Sequence, residues 1–151
     1  MENSKMLIID KIKNGIVIDH IKAGQGVKIF NYLSLEKSDR MIAFVVNALS
    51  NEIGKKDIIK IYDTININLD VLGLIDPTIT VNIIEDEKII KKIKVQLPKR
   101  VENILMCKNP RCITASEKNI PHIFNLADSK TAAYRCEYCD ETRGPEDFRL
   151  P

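Results

Sequence analysis

Cys107-Lys108-Asn109-Pro110-Arg111-Cys112, followed after twenty-three residues by Cys136-Glu137-Tyr138-Cys139, holds every cysteine of the chain. Each short pair forms a knuckle, and the longer loop lets the two knuckles meet around one tetrahedral metal ion. Zinc is the expected ion. Four thiolates fill its coordination shell and leave no position for water or substrate, so the expected role is structural and not catalytic. Two disulfides would satisfy the same count in an oxidising compartment, but Met1 to Asp10 has neither an apolar core of signal-peptide length nor a small-residue cleavage site. A redox pair at Cys136 and Cys139 would leave Cys107 and Cys112 without a purpose, and Glu137-Tyr138 supplies no cation to lower a thiol pKa. Iron is compatible with four thiolates, although Cys-x4-Cys departs from the symmetrical Cys-x2-Cys pairs usual in one-iron carriers.

Working outward from the cysteines, the 151 residues suffice for one domain or two small ones. The formal charge of +2 does not announce a nucleic-acid binder. The longest apolar runs, such as Ile42 to Val46, are far too short to cross a bilayer, so a soluble cytoplasmic protein is expected. Leu97-Pro98-Lys99-Arg100 interrupts the pattern shortly before the first cysteine and sets the expected boundary, with domains over 1–97 and 98–151. The C-terminal piece is poor in large apolar side chains, and a structural zinc, worth about 10 to 16 kcal/mol in small zinc peptides, would make metal binding and folding one event there.

The N-terminal piece reads as alternating strands and helices. Leu7-Ile8-Ile9 and Ile16-Val17-Ile18 flank Asn14-Gly15, a hairpin signal because both residues tolerate positive φ. Val27, Ile29, Phe30 and Leu33 recur at roughly helical spacing after Gly24 and Gly26. Met41 to Leu49 and Asp57 to Tyr62 read as a strand pair around a polar loop. Leu69, Leu72 and Ile75, stopped by Asp76-Pro77, favour a short helix. Thr78 to Ile84 and Lys88 to Val95 form a hairpin around Asp86-Glu87. This order predicts an α+β fold, a ferredoxin-like antiparallel sheet with two helices, followed by a small all-β zinc-binding domain.

A second concentration of chemistry lies on the predicted strands. Lys11, Lys13, Lys55, Lys56, Lys60, Lys88, Lys91, Lys92 and Lys94 accompany Asp19 and His20. Most surface lysines are simply solvated, but strands of one sheet can bring several to a common polar site suited to a polyphosphate, with Asp19 and His20 available to a sugar or base. Neither common phosphate-binding loop is present, since Ala23-Gly24-Gln25-Gly26 stops after two glycines. His122, the other histidine, reads as structural. No nucleophile has a matching base and orienter, and no carboxylate pair suggests acid and base roles, so binding is expected and catalysis is not.

Taken together, the chain resembles the regulatory chain of aspartate carbamoyltransferase. The resemblance runs through Lys13-Asn14-Gly15-Ile16-Val17-Ile18-Asp19-His20-Ile21, Gly54-Lys55-Lys56-Asp57-Ile58-Ile59-Lys60-Ile61 and Thr80-Val81-Asn82-Ile83-Ile84. It continues through Leu97-Pro98-Lys99-Arg100-Val101-Glu102-Asn103-Ile104-Leu105 and both cysteine pairs. It implies a non-catalytic chain of pyrimidine biosynthesis with an N-terminal nucleotide-binding domain and a C-terminal zinc domain carrying one structural zinc. Lys11, Ile12, Val17, Asp19, His20, Lys60, Asn82, Ile84, Ile89 and Lys92 would line a site for CTP, ATP and UTP. A family position that is aromatic near the nucleotide is Glu87 here, which bears on effector preference. Asn109, Arg111, Glu137, Tyr138 and Asp140 would face the catalytic chain, and the nucleotide domains would pair regulatory chains into dimers. The rival reading, a zinc ribbon binding nucleic acid or a transcription complex, calls for a basic, aromatic surface. Glu137, Asp140, Glu141, Glu146 and Asp147 against Arg143 and Arg149 disfavour it, so no nucleic-acid and no membrane partner is expected.

Overall fold

The computed structural model describes residues 11–52 and 54–144. They fall into two compact units. One contains the described residues up to Asn68 together with Thr78–Val95, and the other contains Leu69–Pro77 and the chain from Gln96 onward.

The first unit is an antiparallel sheet of β1 (Gly15–Lys22), β2 (Ile42–Ser50), β3 (Gly54–Ile61), β4 (Thr80–Glu85) and β5 (Lys88–Lys94), in the order β2-β3-β1-β4-β5. The run β2-β3-β1-β4 is the order a split βαβ plan requires, and β5 extends it as the second arm of a hairpin. Side chains alternate across the pleat. Ile16 and Ile18 on β1, Ile59 and Ile61 on β3 and Val81 on β4 are buried, while Val17, Lys60 and Asn82 between them are half-exposed on the other face. Helix α1 (Gly26–Tyr32) lies against β3, buries Ile29 completely and stacks Phe30 on Phe44 at 5.3 Å between ring centroids. Its other predicted apolar residue Val27 is 51% exposed.

The first arm of the hairpin expected around Asn14-Gly15, Leu7 to Ile9, lies outside the described residues. What the structure gives Asn14 is a contact with the β4–β5 turn: its Oδ1 accepts the Asp86 amide at 3.2 Å, and the Lys13 carbonyl accepts the Glu87 amide at 2.9 Å. Asp86 and Glu87 both have positive φ, 50° and 65°, the backbone of a tight hairpin turn whose twist matches its strands.

Two irregularities bend the sheet beside β3. Asn47 (φ 60°) lies in a register shift of β2, and His20 (φ 57°) in one of β1. Asp57 sits between them, fully buried. Its carboxylate accepts the amides of Gly24 and Gly26 at 3.0 Å each and of Asn47 at 3.1 Å, which satisfies a charge that would otherwise be costly to bury. Gly26 has to be glycine here, because a Cβ would stand 2.7 Å from the Asp57 carboxylate and 2.8 Å from the Phe44 ring.

The second unit is an antiparallel sheet of β6 (Arg100–Glu102), β7 (Ile123–Asp128), β8 (Ala133–Cys136) and β9 (Thr142–Arg143), in that spatial order. A single helical turn, α3 (Ile113–Ser116), follows Cys112. Helix α2 (Leu69–Ile75), expected beside the first sheet, is grouped with this unit: Gly73 packs against the Gln96 carbonyl, and Leu74 joins Val101, Leu105, Cys112, Phe124, Tyr134 and Cys136 in one buried cluster. The chain therefore changes units after Val95, near the predicted break, but also enters the second unit once before it. Among the described residues no helix is long and apolar enough to cross a membrane.

Candidate functional site

The four cysteine sulfurs lie within 4.8 Å of one another. Between knuckles, the Cys107 sulfur lies 3.8 Å from that of Cys139, and the Cys112 sulfur 3.8 Å from that of Cys136. Thiolates about 2.3 Å from a tetrahedral zinc ion stand about 3.8 Å apart, so the donor set fits one structural zinc. All four are free thiols. Backbone bonds shape each knuckle: the Cys112 amide donates to the Asn109 carbonyl at 3.1 Å, and the Asp140 amide donates to the Cys136 carbonyl at 2.9 Å, with Asp140 at φ 62°. Cys112 and Cys136 are buried in the hydrophobic cluster, and Cys107 and Cys139 pack at its margin, so the metal centre and the small core are one structure.

The environment differs from one thiol to the next. Burial pushes the Cys107 thiol up to about 12 and raises Cys136 as well. Burial acts the same way on Cys112, but the Thr114 hydroxyl donates to its sulfur at 3.1 Å, and the Thr114 amide and neighbouring thiols add to this, bringing it down to about 7. The four thiols are thus not equivalent before metal binds, and a zinc ion held by all four displaces their protons into solvent. Thr114 was not singled out from the sequence; a hydroxyl two residues past a ligand at the head of a helical turn is the signal that could have found it.

The residues expected at a partner surface flank these loops. The Asn109 Oδ1 accepts the Arg111 amide at 3.0 Å, and Arg111 is exposed. Glu137 accepts from Asn125 at 3.3 Å and lies 3.9 Å from the Arg100 guanidinium. Asp140 is exposed, and Tyr138, Met106 and Ile113 each leave two-fifths or more of their surface, or close to it, in solvent at 39%, 43% and 46%.

In the first unit the strand register brings distant residues into line. Lys60 on β3 is opposite Val17 on β1, Val17 is opposite Asn82 on β4, and Asn82 is opposite Lys92 on β5. These four form one row across the face of the sheet away from the isoleucine core. The Asn82 Oδ1 is buried without a hydrogen-bond partner among the described residues. Ile84 and Ile89 are paired in a neighbouring position, next to Gly15. Towards the other end of β1, Asp19 accepts the Lys56 ammonium at 3.0 Å and the His20 amide at 2.6 Å. The His20 Nε2 is 4.0 Å from the Glu52 carboxylate, and its Nδ1 is buried without a hydrogen-bond partner among the described residues. His20, Leu49, Ser50, Asn51, Glu52 and Lys56 border an open cleft of about 250 Å3. Ile12 is buried and Lys11 exposed just before β1, where neither belongs to a strand. Lys56 is among the strand lysines that the sequence singles out, but not among the positions that the family resemblance implies.

Two family models match the chain consecutively. Residues 7–96 match "Aspartate carbamoyltransferase regulatory chain, allosteric domain", and residues 99–149 match its "metal binding domain". Relatives named aspartate carbamoyltransferase regulatory chain include that of Clostridium tetani, 59% identical over 137 residues, covering 90% of this chain and 95% of the relative. That of Clostridium botulinum strain Hall is 58% identical over 136 residues, covering 90% and 93%, and that of Bifidobacterium longum is 41% identical over 133, covering 88% and 96%. With an allosteric domain followed by a metal-binding domain whose four thiols converge on one point, and with relatives of that name covered over nine-tenths of their length, this chain belongs to the family of aspartate carbamoyltransferase regulatory chains.

Proposed function

We propose that this regulatory chain binds CTP, ATP and UTP on the open face of its first sheet and transmits their occupancy to the catalytic chain of aspartate carbamoyltransferase in the cytoplasm. The observation that carries the reading is the row Lys60, Val17, Asn82 and Lys92 with an Asn82 Oδ1 that has no hydrogen-bond partner among the described residues. Two ammonium groups on one row suit a triphosphate, and a buried oxygen lacking a donor suits the amino group of cytosine or adenine or the ring N–H of uracil. Asp19, its charge balanced by Lys56, and His20 would meet ribose hydroxyls, with Ile84 and Ile89 beside the base and Lys11 and Ile12 leading in. The zinc-held loops, with Asn109, Arg111, Glu137, Tyr138 and Asp140 beside exposed Met106 and Ile113, would dock on the catalytic chain. β2 supports pairing into regulatory dimers, because its sequence Ile42–Ser50 carries no charge to block an open sheet edge, and Val46 and Leu49 are exposed on it at 52% and 87%.

A nucleotide that prefers one quaternary state moves the assembly by no more than its differential affinity, commonly about 1 to 3 kcal/mol. Calorimetric titration of the purified chain with CTP and ATP tests the reading directly. Lys60→Ala should weaken both nucleotides about tenfold or more, the scale of one charge-assisted contact. Absence of binding to the native chain at millimolar nucleotide would defeat it.

A further inference from the structure

The start of β7 reaches both metal knuckles. The Nδ1 of His122 accepts the amide of Cys107, the first ligand of the first knuckle, at 3.1 Å. The carbonyl of the next residue, Ile123, accepts the amide of Glu137, which lies between the ligands of the second knuckle, at 2.9 Å. His122 is itself held from behind by Asn103. Its amide donates to the Asn103 Oδ1 at 3.0 Å, and its carbonyl accepts the Asn103 amide at 2.7 Å. Asn103 has φ 59° and turns the chain out of β6, so the segment from Asn103 to Cys107 both leaves from and returns to His122. Of these links only the one to Cys107 passes through a side-chain acceptor of His122. It requires an unprotonated Nδ1, with the ring proton on Nε2.

We propose that His122 is a positioning residue of the metal centre. Its ring fixes the Cys107 amide, sets the direction in which the first thiol is presented, and, through the adjoining Ile123 carbonyl, registers the first knuckle against the second. Cys107 needs such help more than Cys112 does: it lies in irregular backbone at the margin of the core, whereas Cys112 is buried at the head of α3. Groups that orient metal ligands without touching the ion typically account for 10- to 100-fold in metal affinity.

The test uses the full zinc-loaded chain in competition with a chromophoric chelator, together with the absorption spectrum of the cobalt-substituted protein. His122→Ala and His122→Leu should surrender metal about 10- to 100-fold more readily, with a perturbed cobalt spectrum. His122→Asn carries an oxygen close to where Nδ1 stands, and should hold metal within about threefold of the native chain with the native spectrum. Native retention in His122→Ala overturns the proposal. So does His122→Asn failing as badly as His122→Leu, because the ring's bulk and not its acceptor would then be what matters. If His122→Ala does not fold, the comparison of Asn with Leu decides alone.

Discussion

Replacing Tyr134 by Phe tests the metal-binding unit at two pH values with opposite outcomes. The ring is fully buried in the cluster around the cysteines, and its hydroxyl donates to the Pro98 carbonyl at 2.6 Å. Phenylalanine keeps the packing, removes the donor and leaves that carbonyl short of a partner, so near pH 7 the variant should be less stable by about 1 to 2 kcal/mol. The same burial, with a smaller contribution from the Asp70 carboxylate, pushes the Tyr134 hydroxyl up from its ordinary 10.0 to about 12. A group whose folded pKa is raised contributes stability that is complete below its unfolded pKa and disappears as pH rises through the folded one. The native chain should therefore lose on the order of 2 to 3 kcal/mol through this residue between pH 10 and 12. The variant has no such group, and the two stability curves should meet within that window. Urea unfolding of the zinc-loaded proteins from pH 7 to 12, followed by far-ultraviolet circular dichroism, measures both effects, and alkaline pH favours the thiolates that keep the metal bound. Equal stability at pH 7 would refute the hydrogen-bond argument, and parallel decline above pH 10 would refute the burial argument.

Asp57→Ala deprives the Gly24, Gly26 and Asn47 amides of their acceptor and should destabilise the first unit by at least about 3 kcal/mol. A loss below about 1 kcal/mol in urea unfolding would mean that water or the backbone replaces the carboxylate without difficulty. On the pairing proposed through β2, Val46→Lys places a charge on that strand and should leave the chain monomeric in sedimentation velocity where the native chain sediments as a dimer, with its circular dichroism unchanged. A persistent dimer would move the pairing surface elsewhere.

Much of this architecture is legible in the sequence because period and turn chemistry act locally. The strands around Asp86-Glu87, the helix after Gly26 and the knuckle spacing all follow from neighbours a few residues apart. The cross-strand row of Lys60, Val17, Asn82 and Lys92 is different: each lysine alone reads as solvated surface, and the family resemblance, not the residue pattern, picks these members out. Leu69, Leu72 and Ile75 reveal an apolar helical face but not which core it serves, and α2 goes to the second unit because Gly73 admits the Gln96 carbonyl. Asp57 reads as an ordinary polar strand residue, since three backbone donors supplied by Gly24, Gly26 and Asn47 leave no compositional trace. His122 reads as structural, but what it holds is illegible for the same reason, its partner being an amide and not a side chain.

The excursion of Leu69–Pro77 into the second unit bears on how such chains can be taken apart. The polypeptide passes between the units after Asn68, after Pro77 and after Val95, so no single cut separates them. A fragment beginning at Gln96 would lack Leu74 and the helix that carries it, and the complementary fragment would retain that helix without the cluster it packs into. Grafting either module onto another protein as a cassette would leave one buried surface open on each side of the joint. Insertions and deletions in this lineage should therefore accumulate in the loops within each unit and spare the joint, since the two parts are folded from one interleaved thread.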